Sequence, residues 1–181
     1  MLFLQVLITF IVPLVSAQCV PWSTPGTCTP SSSSCTFYNC LENKSNCGPT
    51  GYALGFALPF CDAITTASTS LSTNGQAWYS ATKYCLQNAL TTEASCQTSC
   101  QDIYTNAFAS HIPCYIDSGF CTLNGHDLKI FFQIVGVNGT VSNDGLALFG
   151  AVLQQCMALY QNGDVSGGWV EWLYKTLNGD I

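Results

Sequence analysis

The sequence has 181 residues, of which 48% are hydrophobic and 8% are charged, and its formal net charge is −6. Its four basic residues are all lysines, so it lacks the clustered Lys and Arg that bind nucleic acid or anionic lipid through phosphate groups. Aromatic residues make up 12% of the chain, which is too many for a disordered protein. The composition therefore predicts one compact acidic domain.

Residues 1–17 are expected to be a signal peptide, because residues 2–15 are almost entirely apolar and small residues precede the predicted cleavage site between Ala17 and Gln18. A membrane anchor is the alternative, but a helix of this length, at about 1.5 Å per residue, is too short to span a bilayer. We therefore expect a secreted, extracellular protein without membrane insertion.

Secretion determines the expected chemistry of the twelve cysteines. In an oxidising compartment they should form disulfides, each contributing about 2–4 kcal/mol of stability. Zinc binding is the alternative, but no Cys-x-x-Cys spacing occurs and His111 and His126 stand alone. No metal or cofactor is expected.

Residues 18–34 are rich in Pro and Ser and show no periodicity, so they are expected to be a flexible tail that precedes a domain at 35–181. The first predicted helix has Pro59 in its first turn and an apolar face of Cys61, Ile64, Ser68 and Leu71. The next begins where Thr73 and Gln76 resemble a capping box, and its face carries Trp78, Ala81, Cys85 and Ala89.

A further helix is predicted from about Thr92 to Pro113, with a stripe of Cys96, Cys100, Ile103 and Ala107. Residues 129–137 suit a strand by composition, but no partner strand is evident, so they form a buried segment that is either extended or helical. Two more helices follow, ended by Asn-Gly pairs, with apolar faces of Leu146, Phe149, Leu153, Cys156 and Tyr160 and of Val170, Leu173 and Leu177. The predicted fold class is all-α and disulfide-rich.

No catalytic arrangement is evident, and we expect that the protein is not an enzyme. Ser118, within Asp-Ser-Gly, is similar to the nucleophile of secreted serine proteases, but neither histidine has a partner to orient it. The preferred interpretation is a turn between Cys114 and Cys121. His126-Asp127 is similar to a phospholipase pair but follows an apparent turn, where Asp127 would cap a helix.

Two glycosylation acceptors begin at Asn43 and Asn138, both in apparent loops. Near the end of the chain, Trp169 and Trp172 lie three residues apart. Core packing and a partner-facing aromatic patch are both compatible with this pair.

The stretch Cys-Leu-Glu-Asn-Lys-Ser from Cys40 resembles the Cys-Leu-Glu-Asn-Ser-Thr of the stanniocalcins, including its glycosylation acceptor. The Thr-Asn-Gly-Gln-Ala from Thr73 resembles the family's Thr-Gln-Gly-Lys-Ala, and Cys114-Tyr115 matches a Cys-Tyr pair. The resemblance runs from Cys28 to Cys156 and includes the cysteine steps 35–40, 61–85, 100–114, 114–121 and 121–156.

Three features differ from that family. The interval between Cys47 and Cys61 is longer here, and Cys19 and Cys96 have no clear counterpart. The family's C-terminal cysteine, which links two chains, has no equivalent after Cys156, so the resemblance does not imply a covalent dimer by that route.

Stanniocalcins are secreted helical glycoprotein hormones linked to calcium and phosphate homeostasis. They are not enzymes, and some members inhibit a secreted metalloprotease by binding it. The resemblance implies a protein of the same class that recognises a cell-surface receptor or a secreted partner protein. A protease-binding inhibitor and a carrier of a small apolar ligand remain alternatives, and a large apolar cavity would favour the carrier.

The resemblance also implies a disulfide pairing, carried over as Cys28–Cys40, Cys35–Cys61, Cys47–Cys100, Cys85–Cys114 and Cys121–Cys156. Cys96 lies one predicted helical turn from Cys100 and is the alternative partner of Cys47. If the five pairs form, Cys19 and Cys96 remain. They pair either with each other or between two chains in a homodimer, since free thiols are disfavoured in an oxidising compartment.

Overall fold

A computed structural model of the protein describes residues 19–137 and 143–179. The predicted signal peptide lies outside these ranges. The α-helices are α1 (Thr36–Ser45), α2 (Leu58–Ala67), α3 (Thr73–Ala89), α4 (Thr91–Ser95), α5 (Cys100–Asp117), α6 (Gly125–Val137), α7 (Asn143–Asn162) and α8 (Gly168–Asn178). A turn of π-helix at Tyr52–Ala57 runs into α2, and 3₁₀ turns lie at Ser68–Ser70 and Phe120–Thr122. The described ranges contain no strand, which confirms the predicted all-α class.

Residues 19–34 have no regular helix but are held by long-range contacts. The Trp22 indole N–H donates to the Glu93 carbonyl over 2.7 Å. The Lys44 ammonium donates to two backbone carbonyls of the segment over 3.2 and 2.7 Å. The buried Gln87 side chain accepts from one backbone amide of the Ser-rich stretch and donates to a carbonyl there. The segment expected to be a flexible tail is thus anchored to α1, α3 and α4.

The junction of α3 with α6 corrects the predicted capping box. The N-cap of α3 is Ser72, one residue earlier than predicted, and its Oγ accepts from the Gly75 N–H over 3.1 Å. The Asp127 carboxylate, 1% exposed, accepts from the Ser72 N–H at 2.8 Å and from the Ser72 Oγ–H at 2.5 Å. A Cβ on Gly75 would lie 2.6 Å from Asp127 Cγ. The close approach of the two helices therefore requires glycine here.

The helix predicted from Thr92 to Pro113 is wrong at both ends. Cys96 follows α4 in extended conformation and forms an isolated β-bridge with Pro21, so it does not belong to the stripe of α5. A separate N-cap at Ser99 starts α5, where its Oγ accepts from a backbone N–H over 3.1 Å. Pro113 lies inside α5, which continues to Asp117. A proline removes only one helical hydrogen bond, and the disulfide of the neighbouring Cys114 fixes the following turn to α3.

Two hydrophobic cores fill the interior. The first core is formed mainly by α1, the π-helical turn, α4 and the first half of α5, and includes Phe37, Tyr38, Leu41, Tyr52, Leu90 and Ile103. The second core is formed by α3, α6, α7 and α8, and includes Trp78, Phe120, Leu123, Phe131, Val152 and Val170. The ambiguous segment 129–137 is helical and belongs to α6, where Phe131 faces the second core. Helix α5 runs along both cores and connects them.

All twelve cysteines are paired. The pairs are Cys19–Cys96, Cys28–Cys40, Cys35–Cys61, Cys47–Cys100, Cys85–Cys114 and Cys121–Cys156. They match the five pairs implied by the resemblance, together with the intramolecular form of the remaining pair. Cys96 and Cys100, although close in sequence, reach different partners.

Candidate functional site

Ser118, His126 and Asp127, the residues considered for catalysis, take part in contacts or caps of the fold. The Asp127 carboxylate is buried against Ser72, and His126 is exposed, with its Nε2 2.9 Å from the Ser70 carbonyl. Ser118 is the C-terminal cap of α5. No group of three or more His, Cys, Asp or Glu side chains within the described ranges is placed to hold a metal ion.

Of the two predicted glycosylation acceptors, the structure describes Asn43. Asn43 is exposed but lies on α1, not in the predicted loop, because the helix continues until Asn46 adopts a left-handed conformation with φ 50°. Asn138 lies outside the described residues. Glycosylation of both remains a prediction.

Helix α7 exposes part of its predicted apolar face. Leu146 and Leu153, two of the five residues expected to face the core, are 57% and 41% exposed, whereas Val152 and Cys156 are buried. The apolar pattern of α7 is therefore wider than the surface that its neighbours cover. A difference of seven residues places Leu146 and Leu153 on the same side of the helix.

Side chains from α6 and α8 continue this apolar surface. Phe132 of α6 is 49% exposed, and its ring centroid lies 5.2 Å from that of Phe149. Phe132, Leu153 and Trp169 line one shallow groove, and Trp169 and Trp172 line the groove beside it. We call Phe132, Leu146, Leu153 and Trp172 the α6–α8 face.

The two C-terminal tryptophans have different environments. Trp169 is half-buried against the second core, and its indole N–H donates to the Phe120 carbonyl over 2.9 Å. Trp172 is 61% exposed on the α6–α8 face. Trp169 therefore packs on the core, which is the first predicted role. Trp172 is exposed, as the second predicted role, a partner-facing patch, requires.

A cavity of about 70 Å³ lies where the two cores meet. Its wall is mainly aromatic and includes Tyr38, Tyr52 and Phe56 from the first core and Trp78, Tyr115 and Phe131 from the second. Helix α3 contributes Thr82 and Lys83 to the wall, and His111 of α5 adds a further polar side chain. No described side chain on the wall carries a carboxylate.

Two residues of this wall each have a polar atom that lacks a hydrogen-bond partner among the described residues and is closed to water. The atoms are the indole Nε1 of Trp78 and the Oγ1 of Thr82, on side chains that are 4% and 3% exposed. Trp78 and Thr82 are four residues apart, so they are neighbours on one face of α3. Most buried polar groups find a partner, but oxygens of Glu42, Ser45 and Glu93 also lack one within the described ranges, so such atoms are not confined to the cavity.

The charge of the cavity wall comes from Lys83. Its side chain is 5% exposed, its Nζ donates to Thr65 Oγ1 over 3.2 Å, and it lies 4.5 Å from the ring centroid of Tyr79. Desolvation lowers the pKa of Lys83, and the charge of Asp62 partly opposes this. Asp62 is not within ion-pair distance, since the ion pair found within the described ranges joins Lys175 and Glu171.

His111 completes the polar groups at the cavity. Burial lowers its pKa to about 4, while a hydrogen bond between Nδ1 and the Ala107 carbonyl, 2.7 Å long, opposes that shift. The ring is therefore neutral at physiological pH, with Nδ1 as the donor and Nε2 as the acceptor. Burial also raises the pKa of the Tyr79 hydroxyl to about 12, so it remains protonated.

Comparisons with protein families, curated proteins and solved structures find no match to this chain. None of the described helices is long and apolar enough to cross a membrane. Six disulfides are consistent with a secreted or extracellular protein.

Proposed function

We propose that the protein is a secreted, hormone-like glycoprotein, similar to the stanniocalcins, that acts by binding a receptor or another secreted protein. The proposal takes its support from the cysteine pairing: twelve cysteines can be connected in very many ways, and five of the six disulfides are the pairs that the resemblance implies. By the same resemblance, we propose a role in calcium and phosphate homeostasis.

The observation that carries this proposal is the α6–α8 face. Large apolar side chains exposed together on a domain surface are typical of interaction sites. Tryptophan is enriched among residues that dominate binding energy, and Trp172 is the most exposed aromatic residue of the face. The Cys121–Cys156 disulfide ties α7 to the 3₁₀ turn at Phe120–Thr122 and would help to keep the surface ordered, so that less conformational entropy is lost on binding.

The test is saturable binding of fluorescently labelled protein to cultured epithelial cells, displaced by excess unlabelled protein. We expect Trp172→Ser and Leu153→Ser each to raise at least tenfold the concentration of unlabelled protein that displaces half of the label. Val20→Ser and Tyr84→Ser are matched controls, because Val20 and Tyr84 are 55% and 48% exposed but lie outside the face. Equal displacement by all four variants would refute recognition through this face.

The glycoprotein part of the proposal has its own test. Asn43 is exposed at the end of α1, where an attached glycan would extend into solvent. Endoglycosidase treatment of protein secreted by animal cells should lower its apparent mass, and Asn43→Gln should reduce that shift. An unchanged mass in both experiments would contradict the prediction.

A further inference from the structure

The segment between the predicted cleavage site and the body of α1 is rich in hydroxyl side chains and proline. Residues 23–36 contain nine serines and threonines, and two of these, Thr24 and Thr29, directly precede a proline. Stretches of Ser and Thr with proline are typical acceptors of O-linked sugars in secreted proteins. Attachment of a sugar to a folded protein requires a hydroxyl that is exposed and free to react, so the fold decides which of these residues qualify.

The hydroxyls of this segment fall into two groups. Five belong to exposed side chains and have no hydrogen-bond partner among the described residues: Ser23, Thr24, Thr27, Thr29 and Ser32. The other four bond to one another, Ser31 to Ser33 over 3.1 Å and Ser34 to Thr36 over 2.9 Å. Four of the five free hydroxyls therefore lie before the run of serines.

Exposed threonines of the helices have a different environment. The hydroxyls of Thr66, Thr105 and Thr176 each donate to the carbonyl four residues earlier in the same helix, over 2.9, 2.9 and 2.8 Å. Such a bond engages the hydroxyl proton and holds the side chain against the helix. Residues 23–32 precede the first helix, so no helical carbonyl is available to their hydroxyls.

The backbone around Thr29 suits an enzyme that binds its acceptor as an extended peptide. A residue before proline is driven to extended conformation, because the proline ring collides with the helical form. Residues 27–31 have no helix, bridge, turn or bend, and the buried Cys28, joined to Cys40, ties them to α1. Thr24 is less favourable, since it lies at a bend and its carbonyl accepts from the Lys44 ammonium over 3.2 Å.

We propose that Thr29, and to a smaller extent Thr24, carry O-linked sugars in the secreted protein. The threonine Oγ1 forms a bond to the anomeric carbon of a phosphate-activated sugar donor. The bond between that carbon and the donor's phosphate oxygen breaks, the phosphate leaves with the electron pair, and the hydroxyl proton passes to a base of the transferase. This inference rests on the secretion proposed above, but not on recognition through the α6–α8 face.

Peptide mapping of the protein secreted by animal cells tests the proposal. N-linked glycans are first removed enzymatically, and the reduced, digested protein is then analysed by electron-transfer fragmentation, which keeps O-linked sugars on their side chains. We expect hexose or N-acetylhexosamine on residues 23–32 in most molecules, with Thr29 as the main site. Protein recovered from the medium without sugar on these residues would overturn the proposal, and would leave secretion and binding through the α6–α8 face unaffected.

Threonine variants test the assignment to individual residues. Thr29→Ala should remove most of the sugar from the segment, and Thr24→Ala should remove a smaller part. Thr66→Ala and Thr105→Ala are the matched controls, since both side chains are exposed but bonded to their own helix, and both variants should leave the sugar content unchanged. An unchanged content in Thr29→Ala, or equal sugar on Thr66 or Thr105, would contradict the assignment. If Thr29→Ala is not secreted, the mapping of the unaltered protein decides.

Discussion

The two halves of the molecule are held together by different means. Four of the six disulfides connect residues between Cys19 and Cys100, around the first core. Only Cys121–Cys156 reaches the region of α6–α8, and neither α6 nor α8 contains a cysteine. Among the described residues, seven large hydrophobic side chains are exposed, and five of them belong to α6, α7 and α8: Phe132, Leu146, Leu153, Trp172 and Leu177.

The two halves therefore differ in how they are stabilised and in the surface that they expose. Cross-links limit the unfolded chain and keep the first core ordered without many ion pairs. The second core depends on aromatic packing, such as Trp78 against Phe120 and Phe131 with centroid distances of 5.4 and 5.5 Å. The less cross-linked half carries the exposed apolar surface, so we infer that it is the half that meets a partner.

Removing the Cys121–Cys156 disulfide should have the largest effect. Cys121→Ala with Cys156→Ala should lower the free energy of unfolding by about 2–4 kcal/mol. Hydrogen exchange should speed up in α7 and α8 and change little in α1. The control is Cys28→Ala with Cys40→Ala, which opens a loop of 12 rather than 35 residues. Equal loss of protection along the whole chain in the first variant would contradict the division into two halves.

Acid should weaken the contact between the halves. The pKa of His111 is about 4 in the folded protein and 6.5 in the unfolded chain, so protonation favours unfolding. As pH falls from 6.5 to 4, we expect the free energy of unfolding to decrease by up to about 3 kcal/mol at 1.36 kcal/mol per pKa unit. Chemical denaturation at several pH values measures this.

The histidine variants decide whether His111 causes that decrease. His111→Phe should remove most of it, and His126→Gln, at an exposed position, should retain it. An unchanged pH dependence in His111→Phe would assign the effect to other groups.

The α3–α6 junction should show an intermediate effect. Asp127→Ala leaves the half-buried Ser72 N–H and hydroxyl without their acceptor, and we expect a loss of about 2 kcal/mol in thermal or chemical unfolding. Asp102, which accepts from Ser99 Oγ in a similar arrangement at 2.6 Å, is exposed and provides the matched control. Asp102→Ala should change stability much less, and a loss equal to that of Asp127→Ala would be inconsistent with burial as the cause.

The smallest effect on stability is expected at the α6–α8 face. Trp172→Ser should change the free energy of unfolding by no more than about 0.5 kcal/mol, because the side chain is mostly in solvent. Trp169→Ser should destabilise by about 2 kcal/mol, since this tryptophan packs on the second core. Similar losses in the two variants would show that Trp172 supports the fold and would remove the main residue of the proposed surface.

Periodicity predicts that α2, α3, α7 and α8 exist, because each has an apolar repeat. It places the end of α2 too late, since the helix stops at Ala67, before Ser68 and Leu71 of the predicted face. In α3 it predicts a stripe in which Ala81 and Ala89 are exposed. Periodicity does not predict α1, because this short helix is stabilised by packing on the first core rather than by a clear apolar repeat. It also fails at Pro113, where a disulfide and surrounding packing outweigh a local stop signal.

The candidate sites were only partly visible in the sequence. Periodicity marks Leu146 and Leu153 as apolar, but whether a neighbouring helix covers them depends on tertiary packing. The cavity gave no recognisable signal, because Trp78 lies on an ordinary apolar stripe and Lys83 resembles a surface lysine of a helix. The weak signal available was Lys83 four residues after Tyr79, which places both side chains on one face.

Disulfide mapping tests the basis of this account most directly, because the division into halves and the resemblance to stanniocalcins both depend on the pairing. Secreted protein is digested without reduction, and the linked peptides are identified by mass spectrometry. We predict six intramolecular links, with Cys47 joined to Cys100 and Cys19 to Cys96. Recovery of Cys47 joined to Cys96, or of a reducible dimer through Cys19, would contradict the account.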